Sequence, residues 1–350
     1  MQKSLYRIID ANFNRAREAL RVIEEFCRFA LNCEPLTERT KQLRHELASF
    51  VSQLDQGRLI AARDTLADVG AGKTVQNQIS RTDLKDCFTA AAKRLPEALR
   101  VLGEMTQTLN PDLAQKIENL RFAAYALEKD VTIAGDTTEK FGRVRLYVII
   151  SSSLPADVIS LTQKCIAGAA DCIQLRAKDM QDNELFALAE QFTQLCREAN
   201  VLSIINDRAD IAVASAADGV HLGQSNLPIE QARKIQLTPL IIGQTTHTIE
   251  QLRRACKQGP TYVSLGPVFA TSTKPGLKPV GLEYVTKAAE ALTSTGICYV
   301  AVGGINLDNI GRVIDAGAEK IAVCSAVTGT PDPAEACRAL KQKINTLKAT

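Results

Sequence analysis

Along the first 134 residues, apolar side chains recur at three- and four-residue steps; from residue 143 onward they gather in short runs separated by amphipathic stretches of helix length. The first pattern belongs to helices packed through one face, the second to buried strands alternating with helices. In "NRAREALRVIEEFCRFAL", residues 14–31, the positions Ala16, Leu20, Ile23 and Phe26 fall on one face. They predict an amphipathic helix with Asn12 or Asn14 as its N-cap. The second half holds "RLYVII" (145–150), "CIQLR" (172–176), "VLSIIN" (201–206), "GVHLG" (219–223), "LIIGQT" (240–245), "YVSLGPV" (262–268), "CYVAVG" (298–303) and "KIAVCSA" (320–326). Eight strands and their helices within 143–350 give the pattern of a (β/α)8 TIM barrel, whose strands are buried on both faces. An open doubly wound sheet calls for a glycine-rich first turn, and "SSSLPAD" after the first run has no glycine. The expected architecture is α/β: a barrel at 143–350 preceded by an all-helical domain at 1–134, with "TIAGDTTEKFG" (132–142) as linker.

The helical half repeats itself: "EALRVIEE" at 18–25 returns as "EALRVLGE" at 97–104. Each copy sets Glu, Arg and Glu at i, i+3 and i+7 (Glu18, Arg21, Glu25; Glu97, Arg100, Glu104). That spacing makes either a surface ion ladder or, if the copies face each other across a pseudo-dyad, a polar lining. Between the copies, "AARDTLADVGAGKT" (61–74) is a loop by composition. Its "GAGKT" is no ordinary phosphate-binding P-loop, because Ala67 stands where the first glycine belongs and no clean apolar strand precedes it.

Composition narrows the partners. The 350 residues carry 42 basic and 39 acidic side chains, net +3 and well mixed, so no overall field draws the chain to nucleic acid or a membrane. An anionic ligand must be held by local groups. The ten cysteines include no C-x-x-C pair, and Cys172, Cys298 and Cys324 lie inside apolar runs, as buried thiols in a reducing compartment do. The first residues lack an apolar core of signal-peptide length and no uncharged stretch spans a bilayer, so a cytoplasmic location is expected.

In a barrel of this kind the chemistry sits at the C-terminal ends of the strands. There the second run ends in Gln174, Leu175, Arg176, Ala177 and Lys178, the third in Asn206 and Asp207, and the fourth leads to Asn226. The fifth ends in Thr245, Thr246 and His247, the sixth runs to Thr271, Ser272, Thr273 and Lys274, and the last two end at Gly303-Gly304 and Cys324-Ser325. Gln174, Arg176 and Lys178 share a face if the strand stays extended. Arg176, Lys178 and Lys274 are cations for phosphate oxygens, Asp207 is a hard oxygen ligand for magnesium, and Gly303, Gly304 and the amides near Ser325 make a backbone phosphate pocket. Two phosphate sites and a magnesium point to two phosphorylated small-molecule substrates. His221 reads equally as a satisfied barrel histidine or a functional group.

In this order, "QLRAK", "INDRADIA", "ADGVHLGQSNLP", "IIGQTTHT", "SLGPVFATSTK" and "AVGGIN" resemble the thiamine-phosphate synthase family over essentially all of 143–350. The resemblance implies a magnesium-dependent transferase that joins hydroxymethylpyrimidine diphosphate to a thiazole phosphate, plain or carboxylated, and releases pyrophosphate. By position it implies that Gln174, Arg176, Lys178, Asn206, Thr245 and Lys274 hold the pyrimidine diphosphate, within the stretch that includes Leu175 and Ala177. It further implies that Thr271, Thr273, Gly304 and the Cys324-Ser325 amides hold the thiazole phosphate, with Ser272 in the same substrate-binding stretch, and that Asp207 and Asn226 hold the magnesium. Asn226 departs from the family's aspartate, which lowers the expected metal affinity by one unit of ligand charge. The barrel also resembles the thiazole tautomerases, for which His247 would be the acid-base group, although an isomerase has little use for so many cations. "RIIDANFNRAREALRVIEEFCRFAL" and "ARDTLADVG" resemble a helical domain linked to hydroxymethylpyrimidine-phosphate kinases. That resemblance implies ATP as co-substrate, with Asn12, Arg15, Arg17, Glu18, Arg63, Asp64, Asp68 and Lys73 as candidate groups. A non-catalytic module for dimerisation or tethering is the alternative, and an oligomer is compatible with either.

Overall fold

A computed structural model of the chain describes residues 2–70, 73, 80–271 and 276–348. The chain divides into two compact units, Met1–Thr132 and Ile133–Thr350.

The first unit is helical: α1 (Gln2–Glu25), a π-helical turn (Phe26–Ala30), α2 (Glu34–Val51), α3 (Gln56–Ala61), α4 (Leu84–Gln107) and the first part of α5 (Pro111–Gly142), whose residues from Ile133 onward belong to the second unit. The repeat copies lie on α1 and α4, which pack against each other. Small residues at the contact, Ala16 and Ala19 on α1 and Ala91, Ala92 and Ala98 on α4, let the backbones approach, while Leu20, Ile23, Leu95, Leu99 and Leu102 fill the core. Helix α1 starts at Gln2, so Asn12 and Asn14 do not cap it. They lie mid-helix and donate their amide hydrogens back to the carbonyls of Ile8 and Asp10, both at 2.9 Å. The ion ladders are surface features: Arg21 pairs with Glu25 at 2.9 Å and Arg100 with Glu104 at 2.9 Å, with both arginines more than half exposed.

The segment expected as a linker is helical, since α5 continues to Gly142. Its threonines do not break it, because their hydroxyls bond back along the helix, as Thr137 does to Ile133 O at 2.8 Å. What ends the helix is Gly142 together with Lys320, a buried lysine whose Nζ caps the carbonyl of Gly142 at 2.8 Å. The periodicity rule missed this because the segment is held by packing: Phe141 is fully buried and stacks on Tyr262 with ring centroids 4.0 Å apart.

The second unit is a closed barrel of eight parallel strands: β1 (Leu146–Ile150), β2 (Cys172–Leu175), β3 (Leu202–Asn206), β4 (Gly219–Leu222), β5 (Ile241–Thr246), β6 (Tyr262–Leu265), β7 (Cys298–Val302) and β8 (Ile321–Val323). Helices α6 (Pro155–Ala167), α7 (Asp182–Glu198), α8 (Ala209–Ala214), α9 (Ile229–Ile235), α10 (Ile249–Gln258), α11 (Gly281–Leu292) and α12 (Ile310–Asp315) connect them, and α13 (Ser325–Thr328) and α14 (Pro333–Lys348) follow β8. Alternation decides the two faces of each strand. Leu146, Val148, Ile150, Ile173, Leu175, Val220, Ile242 and Val263 pack outward in the large core, whereas Tyr147, Cys172, Ile204, Ile241, Tyr262, Val300 and Ala322 fill the inside over Phe141. Gly243 has to be glycine: a Cβ there would lie 2.1 Å from Cζ of the Tyr262 ring. The large tyrosine inside and the missing side chain on the neighbouring strand are one packing solution.

Candidate active site

Above this plug, at the C-terminal ends of the strands, opens a cavity. Its floor and walls are mixed. Ile149, Val300, Val302 and Ala322 are apolar; Gln174, Asn206, Thr245 and Ser264 present polar groups between them. Arg176, Thr271, Gly303, Gly304, Cys324 and Ser325, which follow β2, β6, β7 and β8, complete the lining.

Of the expected group after β2, Gln174 is 2% exposed and lines the cavity with Arg176. Strand β2 ends at Leu175 and a turn begins at Lys178, so the three side chains do not share one extended face. Lys178 instead stands half exposed, its Nζ 3.6 Å from Asp207 Oδ2. Leu175 packs into the outer core with Ala177 against it, which leaves backbone contact as their route to a ligand. Arg176 donates from Nη1 to Ser151 Oγ at 2.7 Å, while its Nε is buried with no partner among the described residues. Thr106 Oγ1 and Thr193 Oγ1 are also buried without a partner among the described residues, but of the three only Arg176 lines the cavity, where its open Nε–H can meet a ligand oxygen.

Asp207 follows β3 in a left-handed conformation, φ 65°, which aspartate tolerates better than most residues. Two neighbours hold it there. Its N–H donates to His221 O at 2.8 Å, and the next residue, Arg208, forks onto Asp210 at 2.9 and 2.6 Å while reaching Asp182 at 2.5 Å. The Arg208 hydrogen bonds lower the carboxyl pKa of both aspartates. Asn226 turns its Oδ1 to the Gly223 N–H. A Cβ on Gly223 would lie 2.9 Å from Asn226 Oδ1 and 3.9 Å from Asp207 Oδ1, so both oxygens border a space that a side chain at 223 would fill. One carboxylate and one amide oxygen suit magnesium, which keeps several waters and takes its remaining ligands from phosphates.

After β7, Gly303 (φ 106°) and Gly304 (φ 63°) take conformations that favour glycine. A Cβ at Gly304 would lie 2.5 Å from Ala270 O, so the backbone here runs too close to the loop after β6 for any larger residue. Ser272, Thr273 and Lys274 lie outside the described residues. Thr246, named with Thr245 at the end of β5, points away from the cavity and bonds to Tyr284 Oη at 2.8 Å. His247 lines the cavity and its Nδ1 faces Gly266 O, which fixes the ring.

The cavity also contains residues that the strand-end motifs did not reveal: Tyr147, Ile149, Ser264, Val300, Val302, Ile305 and Ala322. Inward alternation along β1, β6, β7 and β8 was the signal that could have found most of them. His221 is satisfied on both ring nitrogens, as the structural reading expected, and it also lines the cavity.

In the helical unit the loop 61–70 docks on α1. Buried Asp10 accepts Arg63 Nε at 2.7 Å and Nη2 at 2.8 Å, and Arg7 donates to Asp64 O at 2.7 Å with Asp68 3.8 Å away. Asp10 and Arg7 were absent from the sequence-derived group. Arg15, Arg17 and Glu18 are exposed further along α1, with Arg15 3.4 Å from Asn12 Oδ1. Lys73 is exposed, its N–H on Gly70 O at 3.3 Å; the rest of "GAGKT" beyond Gly70 lies outside the described residues. No helix among the described residues is long and apolar enough to cross a membrane.

Comparison with known proteins adds the following. A family model described as thiamine monophosphate synthase matches residues 146–327, and one described as the ThiD2 family matches residues 7–130. A thiamine-phosphate synthase of Synechocystis sp. is 38% identical over 342 residues, 98% of this chain and 97% of that protein. One of Nostoc sp. is 37% identical over 348 residues, 99% and 96% of the two chains. One of Rhodopirellula baltica is 39% identical over 332 residues, 93% and 88%. Among solved structures, a thiamine phosphate pyrophosphorylase from Pyrococcus furiosus is 34% identical with a TM-score of 0.53, covering 60% of this chain and 98% of that one.

Proposed function

The chain belongs to the thiamine monophosphate synthase family, transferases of thiamine biosynthesis, and from that premise we propose that its barrel joins hydroxymethylpyrimidine diphosphate to hydroxyethylthiazole phosphate and releases pyrophosphate. With the carboxylated thiazole phosphate, carbon dioxide leaves as well. The observation that carries this reading is that one partly apolar cavity is lined both by Arg176, with its open buried donor, and by the Gly303-Gly304 and Cys324-Ser325 segments. Two anionic groups and an aromatic body between them suit that shape.

In this reading Gln174, Asn206 and Thr245 hold the pyrimidine, and Arg176, Lys178 and Lys274 take the diphosphate. Thr271, Ser272, Thr273, Gly304, Cys324 and Ser325 take the thiazole phosphate. Asp207 and Asn226 would hold magnesium, which supplies positive charge to the leaving pyrophosphate when bound. The cationic side chains neutralise negative charge as it develops on the leaving group. The amino group of the pyrimidine stabilises the methylene carbon it leaves behind. The walls then hold the thiazole nitrogen in line for attack, so orientation replaces any protein nucleophile. For the helical unit the proposal is ATP-dependent phosphorylation of hydroxymethylpyrimidine phosphate, supported by the ThiD2 match and by the basic and acidic groups that Asp10 and Arg7 collect on α1.

One assay tests both. The intact chain is given magnesium, thiazole phosphate and either the pyrimidine diphosphate or the monophosphate with and without ATP, and thiamine monophosphate is measured. Product from the diphosphate is expected, and its absence would overturn the barrel assignment. ATP-dependent product from the monophosphate is expected as well; product from the diphosphate alone would make the helical unit an interaction module.

The departure at position 226 gives a separate expectation. Asn226→Asp restores a full ligand charge beside Asp207 and is expected to tighten magnesium binding about tenfold, given a carboxylate's stronger hold on a hard cation. Calorimetric titration of magnesium in the presence of pyrophosphate reads this directly, and an unchanged affinity would remove Asn226 from the metal site.

A further inference from the structure

A chain of hydrogen bonds rises through the barrel interior to the cavity. Tyr147 Oη lies 2.9 Å from Tyr262 Oη, Tyr262 Oη 3.0 Å from His221 Nδ1, and His221 Nε2 2.9 Å from Thr245 Oγ1. Both tyrosines are at most 2% exposed and Thr245 is 6% exposed. The His221 ring lies nearly parallel to that of Tyr262, at 5.6 Å, and Tyr262 is pinned from below by Phe141. Burial pushes both phenols well above their ordinary pKa, so each keeps its proton.

The hydrogens in this chain can run in two directions. If His221 carries its proton on Nδ1, Tyr262 accepts it and must donate to Tyr147, whose own hydrogen then has no acceptor, because Tyr262 is the only hydrogen-bond partner of the Tyr147 hydroxyl among the described residues. If the proton is on Nε2, Tyr147 donates to Tyr262, Tyr262 to Nδ1, and Nε2 to Thr245. Every hydrogen up to Thr245 is then used. An unsatisfied buried hydroxyl biases the balance by roughly ten- to a hundredfold toward the second direction.

Resting on the synthase reading above, we propose that Tyr147, Tyr262 and His221 are positioning residues that fix Thr245 as a hydrogen-bond donor to the pyrimidine ring of the substrate. Thr245 Oγ1 accepts from His221 and therefore turns its own hydrogen toward the cavity. Its target is an acceptor on the ring edge, a ring nitrogen, since Thr245 sits in the deep part with Gln174, Ser264 and Val300, while Arg176 occupies the mouth where a diphosphate fits. A site committed to donate discriminates strongly against an analogue with C–H in place of that nitrogen.

The tautomer is read first, on the intact chain with nitrogen-15 in its histidine rings. The chain has three histidines, and His221→Gln assigns the signal. A protonated Nε2 with a bare Nδ1 is expected; a protonated Nδ1 overturns the proposal. Binding is read second. Thr245→Val is expected to weaken the diphosphate-free hydroxymethylpyrimidine about tenfold or more, to leave inorganic pyrophosphate affinity unchanged, and to abolish preference over the C–H analogue, with Thr245→Ser restoring all three. Tyr262→Phe, which keeps the ring, is expected to raise KM for the pyrimidine diphosphate more than it lowers kcat. Thr245→Val with wild-type affinity for the pyrimidine, or with a loss confined to pyrophosphate, would end the idea. Absence of synthase activity in the wild-type chain would instead remove the functional premise and leave the tautomer result standing.

Discussion

Arg176→Met is expected to lower kcat for thiamine phosphate formation by about 10²–10³-fold, the usual loss when one preorganised donor to a developing negative charge is removed. Arg176 leaves the end of β2 with Nη1 tied to Ser151 and Nε buried without a partner, so its fork is held in place before any ligand arrives. Methionine keeps much of the length and the apolar stem, so packing changes little. Arg176→Lys keeps the charge but gives up the planar fork, and is expected to recover only part of the activity. Pyrophosphate release from ready-made diphosphate is the readout, with thermal unfolding of each variant as a control on folding. A methionine variant within a few-fold of wild type would mean that the diphosphate is bound elsewhere.

The second large effect is on stability. Phe141→Ala is expected to destabilise the barrel by about 3–5 kcal/mol, the cost of truncating a fully buried phenylalanine and leaving a cavity. Phe141 is 0% exposed, stacks on Tyr262 and meets Tyr147 edge-on at 6.3 Å, so nothing nearby can collapse into the space without moving both tyrosines. The midpoint of the barrel transition should fall by about 10 °C. Because Tyr262 bonds to His221, the same variant should also weaken pyrimidine binding; Phe141→Leu should recover most of the stability. A midpoint unchanged by the alanine would show that Phe141 is not packed beneath Tyr262.

The sequence and the structure divide the explanation in a definite way. Strand positions were legible because each strand is a short apolar run bounded by amphipathic segments, a pattern read within ten residues. The polar strand ends were legible for the same reason: charge, amide, hydroxyl or glycine interrupts each apolar run where the barrel opens. Gln174, Arg176, Asn206, Thr245 and Gly304 do meet in one cavity, as their places after successive strands implied. Lys178 was misplaced because the face rule assumes an extended chain, and the chain turns after Leu175. The segment 132–142 was misread because Gly, Thr and charge weigh against a helix by local propensity, whereas Phe141 and Lys320 hold it by contacts that propensity does not contain.

The amino-acid sequence by itself therefore determined the division into a helical and a barrel half, the eight strands and the rim on which the polar strand ends gather. All of these follow from periodicities and chain order. Only the tertiary structure decided which side chains complete the site from within. Tyr147 and Tyr262 are 115 residues apart, Tyr262 and His221 41, His221 and Thr245 24, and Asp10 and Arg63 53. No local pattern encodes such pairs. They form because closing the barrel and packing the helices remove Tyr147, Tyr262, Thr245 and Asp10 from water, and a buried polar group is stable only where another one meets it.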